Sequence, residues 1–336
     1  MLSTKKFIQW TLGVVMLAYA FGPTDRKTLG SHSDSPSEYY PPDFYPNGTD
    51  LVLPMGSIRY WLMGDPNGKK VVLIHGISTG AACYISLSKI LADKGHYVLL
   101  FDLWGRLFYL HKKKGYAEAP PHYYDESLYT TQVALVLQKV GWTSTDVVGV
   151  SLGGAIATSF ASFYPEMVNK LVLIAPAGLM HRADIPMSGK IVAHPLLMRL
   201  FEQGWIQPFA RKAFKLFIDN SSLRKELADD PLVDQISSVA THQFIHHPGF
   251  IRAFLGTLAD YPLSGLDERY RILGNYSNIP VFVLWGDNDK TVPYKYHHVL
   301  QKYVPHAQIS HYKGGGHDIL LSHRDRLNSE ICDFLS

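Results

Sequence analysis

The chain has few cysteines and little net charge, and both limits narrow its possible functions. Cys83 and Cys332 are the two cysteines among 336 residues, which excludes a disulfide framework and leaves no metal-binding spacing. The formal net charge is +3, and neither a basic stripe nor an RNA-binding motif is present, which argues against nucleic-acid partners. We therefore expect no metal, no cofactor and no nucleic acid. The lysine run at residues 112–114 is interpreted as a solvated loop, with contact to an anionic membrane as the alternative.

The apolar segment near the N-terminus is short. A lysine pair precedes an apolar stretch of about 15 residues, from residue 7 to residue 21, whereas a bilayer-spanning helix needs roughly 20. Residues 18–20, Ala-Tyr-Ala, fit a small-x-small cleavage site. We therefore predict that residues 1–21 form a signal peptide, with an uncleaved signal-anchor as the alternative. Both interpretations place the protein in the secretory pathway, either secreted or anchored in the endoplasmic reticulum membrane.

Residues 22–50 are rich in proline, serine, aspartate and tyrosine, a composition typical of a linker. Three Asn-x-Ser/Thr tripeptides match the N-glycosylation sequon. They begin at Asn47, Asn220 and Asn275. Because such tripeptides also arise by chance, they support a glycoprotein of the secretory pathway only mildly.

Beyond the linker, strand-like and helix-like segments alternate. Short apolar runs such as 71–74, 171–175 and 279–285 are typical of strands buried on both faces of a parallel sheet. Helical segments between them end at glycine or before proline. This alternation predicts an α/β fold with a doubly wound, mostly parallel sheet. We assign its core to residues 51–177 and 278–336.

The alternation disappears between residues 178 and 277, a segment of about 100 residues with a helical pattern. His242, His246 and His247 lie within it, and the first two have the i,i+4 spacing of a metal-binding helix. No glutamate or cysteine completes a zinc signature around them. An ordinary polar helix face is therefore the better interpretation of these histidines.

The most informative motif is Gly149-Val150-Ser151-Leu152-Gly153. β-Branched residues precede it and a helical pattern follows it. The glycines allow a sharp strand-to-helix turn, because a Cβ at either position would clash as the backbone doubles back. Such a turn lifts the serine hydroxyl clear of the sheet, where a base can activate it.

Two later segments carry the groups that a serine nucleophile needs, a base and a carboxylate that orients it. One strand-like run leads to Asp287 and Asp289, and a second contains His311 and is followed by three glycines and His317. The glycines give His317 a loop that can bend back toward Ser151, so His317 is preferred to His311. Both aspartates stay candidates on this reasoning.

These motifs resemble those of the α/β-hydrolase superfamily, in the serine-nucleophile branch of esterases and monoacylglycerol lipase-like enzymes. The chain order of serine, acid and histidine matches, as does the run 71–74 leading into His75-Gly76-Ile77. The resemblance covers the chain from about residue 51 onwards. It implies that residues 178–277 form a helical cap over the active site, with a separate, remote helical domain as the alternative.

The resemblance also implies roles for individual residues. The family pattern of Gly-x-x-Asp places the catalytic carboxylate at Asp289, and it leaves Asp287 as a turn residue. The implied catalytic triad is then Ser151, Asp289 and His317. The implied oxyanion hole is formed by the backbone N–H groups of Ile77 and Leu152. His75, before Ile77, is interpreted as a residue that shapes the loop.

A serine nucleophile argues against epoxide hydrolases and haloalkane dehalogenases, which use aspartate at this position. The leading hypothesis is hydrolysis of a carboxylic ester with an apolar or lipid-like acyl group. Carbon–carbon bond hydrolases, amidases and acyltransferases use the same triad and stay open as alternatives. A non-catalytic binding protein on the same fold is a further alternative, although it has no need for all three triad residues.

Residues 107–114 depart from the family pattern. Asp102-x-x-Gly105-Arg106 begins as in relatives, and Gly115 would continue it if these eight residues were absent. One interpretation is a loop at the mouth of the site, whose apolar half contacts lipid while its lysines face headgroups. The other is a gene-model error, such as a retained intron fragment.

Overall fold

The structure is a computed structural model of the chain. It describes residues 40, 41, 43–106, 120, 123–185, 209, 211, 212, 230–247, 249–276 and 278–336, together with residues 13 and 17. Four segments lie wholly or mostly outside this set. They are the rest of the predicted signal segment, most of the predicted linker, residues 107–114 and most of residues 186–229. No helix in the described part of the chain is long and apolar enough to cross a membrane.

Eight strands in the described residues form one sheet. They are β1 Gly48–Leu53, β2 Gly56–Gly64, β3 Lys70–Ile74, β4 Tyr97–Phe101, β5 Thr145–Val150, β6 Val168–Ile174, β7 Val281–Gly286 and β8 Gln308–Tyr312. Their order across the sheet is β1-β2-β4-β3-β5-β6-β7-β8. β2 pairs antiparallel with both β1 and β4, whereas every other pairing is parallel. The predicted mostly parallel sheet is confirmed.

Helices pack on both faces of the sheet. The helices in the described part of the chain, with those between β6 and β7 included, are α1 Ile85–Asp93, α2 Glu126–Lys139, α3 Leu152–Phe163, α4 Pro231–His246, α5 Phe250–Asp260, α6 Asp267–Asn275, α7 His297–Tyr303, α8 Ile319–Ser322 and α9 Arg324–Leu335. Parallel neighbours cannot be joined by a tight hairpin, so helical crossovers connect them. The α/β, doubly wound class predicted from the sequence is confirmed as well.

The side chains of each central strand alternate between two apolar layers. Val72 and Ile74 of β3 pack in the layer with α2 and α3, whereas Val71 and Leu73 pack in the layer with α1 and α9. All four are fully buried. This is the period of two expected of a strand, and it explains the uninterrupted apolar run, because helices cover both faces.

The carboxyl ends of β3 and β5 form a crevice at the centre of the sheet. From β3 the chain moves outward to β4 and then returns to β5, on the other side of β3. In open α/β sheets, ligands bind at such a switch point. Ile77 follows β3 and Ser151 follows β5, so the topology brings both to this crevice.

The chain contacts the sheet earlier than the predicted linker allows. Tyr40 and Tyr45 are buried, and their rings pack edge-on against Trp61 of β2. β1 begins at Gly48, so the predicted start of the core falls inside this strand. The aromatic residues are separated by prolines and polar residues. Composition therefore suggested a linker, whereas long-range packing decides the structure.

Helix α6 packs with the helices of the core, although the predicted cap extends to residue 277. Tyr270 Oη donates to Ala177 O at 3.1 Å, and Arg269 forms an ion pair with Glu126 of α2 at 2.7 Å. The parallel strands β6 and β7 need a crossover over the sheet face, and α6 lies on that face. The described helices of the insertion are therefore α4 and α5.

His242 and His246 lie one turn apart on α4, with ring centroids 4.5 Å apart. His247 is buried, and its Nδ1 accepts a hydrogen bond from a backbone N–H at 2.9 Å. Across the residues that the structure describes, no three metal-ligating side chains come together in a group that could hold an ion.

Asp102, directly after β4, carries a fully buried carboxyl group. Its Oδ1 accepts a hydrogen bond from Ala81 N at 2.8 Å, and its Oδ2 accepts one from Tyr40 Oη at 3.1 Å. Burial raises the pKa of Asp102 to about 8, and these hydrogen bonds offset only part of that effect. The carboxyl group is therefore mostly protonated in the folded protein at neutral pH.

We predict that Asp102 lowers the stability of the protein as the pH rises from about 4 to about 8. The unfolded chain loses this proton near pH 4, whereas the folded chain keeps it to about pH 8, so the folded state binds more protons across this window. Asp102→Asn removes the titration, while its amide oxygen can still accept from Ala81 N. Urea unfolding across the window should show a smaller loss of stability in the variant. Parallel stability curves for the two proteins would contradict the prediction.

Candidate active site

Ser151 lies at the sharp turn between β5 and α3. Its backbone has φ 55° and ψ −116°, a conformation that residues other than glycine rarely adopt. Ser151 N donates to Ile174 O at 2.9 Å. A Cβ at Gly149 would lie 2.2 Å from Gly153 O, and one at Gly153 would lie 2.0 Å from Ile74 O. Close backbone contacts therefore require both glycines of the motif.

His317 reaches Ser151 from the loop after β8. Its Nε2 lies 2.9 Å from Ser151 Oγ, and its Nδ1 lies 2.7 Å from Asp289 Oδ2. A carboxylate only accepts hydrogen bonds, so Nδ1 carries the proton and Nε2 is left to accept from the serine hydroxyl. This is the tautomer that a general base requires. His317 is partly exposed, at 26% of its side chain, so a substrate can approach it.

Asp289 is held rigidly beneath His317. Its side chain is fully buried. Its Oδ1 accepts hydrogen bonds from Thr291 N and Val292 N, both at 2.8 Å, while Oδ2 faces His317. Both carboxylate oxygens are therefore occupied, and the loop after β7 fixes the orientation of the group.

The rival candidates Asp287 and His311 pair with each other. His311 Nε2 lies 3.0 Å from Asp287 Oδ2, and Asp287 Oδ1 accepts from Gly314 N at 2.7 Å. The Gly314 hydrogen bond, followed by His311, lowers the pKa of Asp287. This pair is partly exposed, and it ties the loop of Asp289 to the loop of His317.

Ile77 and Leu152, the predicted sources of oxyanion donors, line the same cavity as Ser151. Leu152 is the first residue of α3, so its N–H has no acceptor within the helix. Ile77 lies on the loop after β3. A Cβ at Gly76 would meet Ser151 Cβ at 3.6 Å, which places this loop directly beside the serine turn.

His75 shapes the loop after β3 and is fully buried. Its Nδ1 lies 2.7 Å from Gly76 O, and its Nε2 accepts from Leu103 N at 2.9 Å. Because Leu103 N–H needs an acceptor, the ring proton lies on Nδ1, which donates to Gly76 O. Burial lowers the pKa of His75 to about 3, and the positive charge of Arg106 adds to this effect. The ring is neutral with both nitrogens occupied, so it is not available as a second base.

A cavity of about 980 Å³ opens beside Ser151, at the upper end of the range for small-molecule sites. Most of the side chains in its wall are apolar. They include Ile77, Leu152, Met180, Ile185, Leu258, Pro262, Leu263 and Val292. Arg182, Lys290 and Asp260 add charged groups to the lining. Burial raises the pKa of Asp260.

Two buried side chains that hold the loop after β3 carry no clear sequence signal. Arg106 Nε donates to Ile77 O at 2.7 Å, and Gln243 Nε2 donates to Ser78 O. Each lies far from its partner along the chain, by 29 and 165 residues. The only available sign was that Arg106 follows the Asp-x-x-Gly stretch, and nothing in the helical pattern of α4 distinguishes Gln243.

Comparison with known proteins agrees with this architecture. A hydrolase from Pseudomonas aeruginosa PA01 superposes with a TM-score of 0.67 at 16% sequence identity, covering 87% of this chain and 99% of that one. A 2-hydroxy-6-oxo-6-phenylhexa-2,4-dienoate hydrolase of Burkholderia cepacia is 25% identical over 289 residues, 84% of this chain and 93% of the relative. A 2-hydroxy-6-oxononadienedioate/2-hydroxy-6-oxononatrienedioate hydrolase of Dechloromonas aromatica is 26% identical over 272 residues, 79% of this chain and 86% of the relative.

The family model described as alpha/beta hydrolase fold matches residues 69–324. The match begins just before β3 and ends at the start of α9, so it includes the turn of Ser151 and the loops of Asp289 and His317. It spans well over half of the chain. The protein therefore belongs to the α/β-hydrolase family.

Proposed function

We propose that the protein is a serine hydrolase that cleaves a carboxylic ester with an apolar acyl group, through an acyl-enzyme. The main support is the continuous hydrogen-bonded chain from Ser151 Oγ through His317 to Asp289, with distances of 2.9 and 2.7 Å. A nucleophile within reach of a base, and a base oriented by a carboxylate, is the arrangement that nucleophilic catalysis needs. A catalytically silent binding protein needs none of these contacts.

In the proposed reaction, Ser151 Oγ attacks the ester carbonyl carbon while His317 Nε2 takes the hydroxyl proton. Asp289 stabilises the resulting imidazolium and does not itself take the proton. The carbonyl oxygen of the ester becomes negatively charged and accepts hydrogen bonds from the amides of Ile77 and Leu152. The intermediate then collapses, His317 gives its proton to the leaving alcohol, and the acyl group stays on Ser151. Water activated by His317 releases the acid and restores the serine.

The wall of the cavity supports an apolar acyl group as the substrate's larger part. Apolar side chains from five places in the chain surround the space next to Ser151, and each buried methylene of an acyl chain contributes about 0.8 kcal/mol. We extend the proposal to lipid-like esters met at a membrane of the secretory pathway. The support for that location is the apolar segment at residues 1–21.

We predict that Ser151→Ala lowers kcat for a p-nitrophenyl ester by about 10⁴- to 10⁶-fold, because the nucleophile is lost. The fold should persist, since the turn already accommodates a Cβ at this position. Circular dichroism and a melting curve check the fold, and a fluorophosphonate probe should label the wild type alone. Retention of more than about a hundredth of the wild-type rate would refute the assignment of the nucleophile.

The acid is tested by a matched pair of variants on one loop. Asp289→Asn should lower kcat by about 10³- to 10⁴-fold, because an amide next to Nδ1 favours the wrong tautomer of His317. Asp287→Asn should cost far less, since Asp287 contacts His311 and Gly314 instead. Steady-state kinetics of the two variants decide between them. The opposite ranking would move the catalytic carboxylate to Asp287.

A second candidate function is hydrolysis of a carbon–carbon bond in a substrate that carries a carboxylate. Relatives at 25–26% identity are named as dienoate and dienedioate hydrolases. The observation that favours this candidate is the presence of Arg182 and Lys290 in the wall of the cavity, both with exposed side chains. Cations at a cavity wall suit an anionic substrate group.

Substrate pairs distinguish the two candidates. The ester proposal predicts that p-nitrophenyl octanoate is turned over faster than 2-hydroxy-6-oxo-6-phenylhexa-2,4-dienoate. It also predicts that Arg182→Gln combined with Lys290→Gln changes the octanoate kcat/KM by less than about threefold. Lys302→Gln, an exposed lysine of α7 outside the cavity wall, is the control for a change in net charge. Faster dienoate turnover that falls about tenfold or more in the double variant would favour the second candidate.

A further inference from the structure

Three consecutive carbonyl groups of the loop after β3 each accept a hydrogen bond from a buried side chain. His75 Nδ1 donates to Gly76 O at 2.7 Å, and Arg106 Nε donates to Ile77 O at 2.7 Å. Gln243 Nε2 donates to Ser78 O. All three donor side chains have 0% exposure. The donors come from the end of β3, the loop after β4 and helix α4, so three separate parts of the chain converge on one loop.

These bonds determine where the Ile77 N–H points. The peptide bond is planar and trans, so the carbonyl of Gly76 and the N–H of Ile77 point in opposite directions from one rigid unit. Because the His75 ring holds Gly76 O toward itself, the Ile77 N–H points away from the His75 ring. The bonds at Ile77 O and Ser78 O restrain the next two peptide planes against rotation.

Arg106 connects this loop to the second inserted helix. Its Nη2 donates to Thr257 Oγ1 of α5 at 3.1 Å, and its guanidinium lies 5.4 Å from the centre of the Phe250 ring. Thr257 Oγ1 lies 2.7 Å from Tyr129 Oη of α2. Among the described residues no carboxylate forms an ion pair with Arg106, its buried Nη1 has no hydrogen-bond partner, and the guanidinium interacts with the hydroxyl of Tyr129. A buried cation without a carboxylate is costly, so packing alone does not account for it.

Gln243 makes the corresponding connection from α4. Its amide nitrogen holds Ser78 O, while its buried Oε1 has no hydrogen-bond partner in the described part of the structure. An apolar side chain of the same size would remove that unsatisfied oxygen, so the stability of the protein gains little from glutamine here. The contact with Ser78 is what a glutamine provides and a leucine cannot.

We propose that Gln243 and Arg106 are positioning residues that couple the inserted helices α4 and α5 to the oxyanion donor at Ile77. The loop then presents its N–H to the substrate oxygen only while both helices are docked on it. This inference rests on the proposed function, since it assigns Ile77 N–H to an oxyanion. It adds that the insertion helps to build the catalytic centre as well as lining the cavity beside it.

The test compares Gln243→Leu and Arg106→Met with Ile331→Val, a conservative change in the buried face of α9 that serves as the stability control. Three quantities are measured for each protein: the melting temperature, kcat and KM for a p-nitrophenyl ester, and the inhibition constant of an arylboronic acid. The boronate forms a tetrahedral adduct with a serine hydroxyl, and one of its oxygens takes the place of the oxyanion.

We expect kcat to fall about 10- to 100-fold in Gln243→Leu and Arg106→Met, less than the loss of a whole oxyanion donor, with KM within about threefold. The boronate inhibition constant should rise by a similar factor. Arg106→Lys should recover part of kcat, because it keeps a charged donor near Ile77 O. If Arg106→Met does not fold, Gln243→Leu decides the question with the loss given above, and the milder Thr257→Val should show a smaller loss of the same kind.

Two outcomes would overturn the coupling. One is a kcat in the variants no lower than in Ile331→Val, and the other is a loss of kcat that leaves boronate affinity unchanged. Both leave the proposed function intact, provided that the wild type hydrolyses the ester and binds the boronate. A wild-type protein that does neither would instead contradict the proposed function, and the coupling with it.

Discussion

The left-handed backbone of Ser151 is the constraint on which the rest of the site depends. At φ 55° a residue with a side chain carries about 1–3 kcal/mol of strain. Neighbouring hydrogen bonds hold it there: Ser151 N donates to Ile174 O, and Ser151 O accepts from Ala155 N and Ala177 N. These partners belong to β6, α3 and the loop after β6. The serine turn is therefore stable only when β5, β6 and α3 are packed together.

The same turn fixes the loop after β3, because α3 begins against the end of that strand. The Cα of Gly153 lies so close to the backbone of β3 that a Cβ on it would lie 2.0 Å from Ile74 O. Contact this close prevents the loop from sliding relative to the serine. The sheet and α3 thus set the distance between the amides of Ile77 and Leu152. What they leave free is the tilt of the peptide planes, and side chains from other parts of the chain hold that tilt.

The sequence predicted the features that local pattern determines. The buried strands appear as apolar runs, the serine turn appears as its glycines, and the preference for Asp289 over Asp287 follows from the family pattern after β7. The structure brings Ser151, Asp289 and His317 together, and their catalytic roles stay proposals. The point at which the chain first joins the core is different, because distant contacts decide it. Tyr40 belongs to the core only because it reaches Asp102 across 62 residues, and no local pattern contains such a contact. Arg106 and Gln243 escaped the sequence analysis for the same reason.

Of the three side chains that hold the loop after β3, Arg106 is the one that carries a charge. Gln243 is neutral by its chemistry, and His75 is neutral because burial lowers its pKa to about 3. A neutral donor would also satisfy Ile77 O, so that hydrogen bond does not by itself explain a guanidinium at a buried position. A single neutral donor lacks the second contact that the guanidinium makes: Nε of Arg106 holds Ile77 O while Nη2 donates to Thr257 Oγ1 of α5. The guanidinium is planar and rigid, so both contacts hold one orientation of the loop relative to α5, which is what a positioning residue at this place needs.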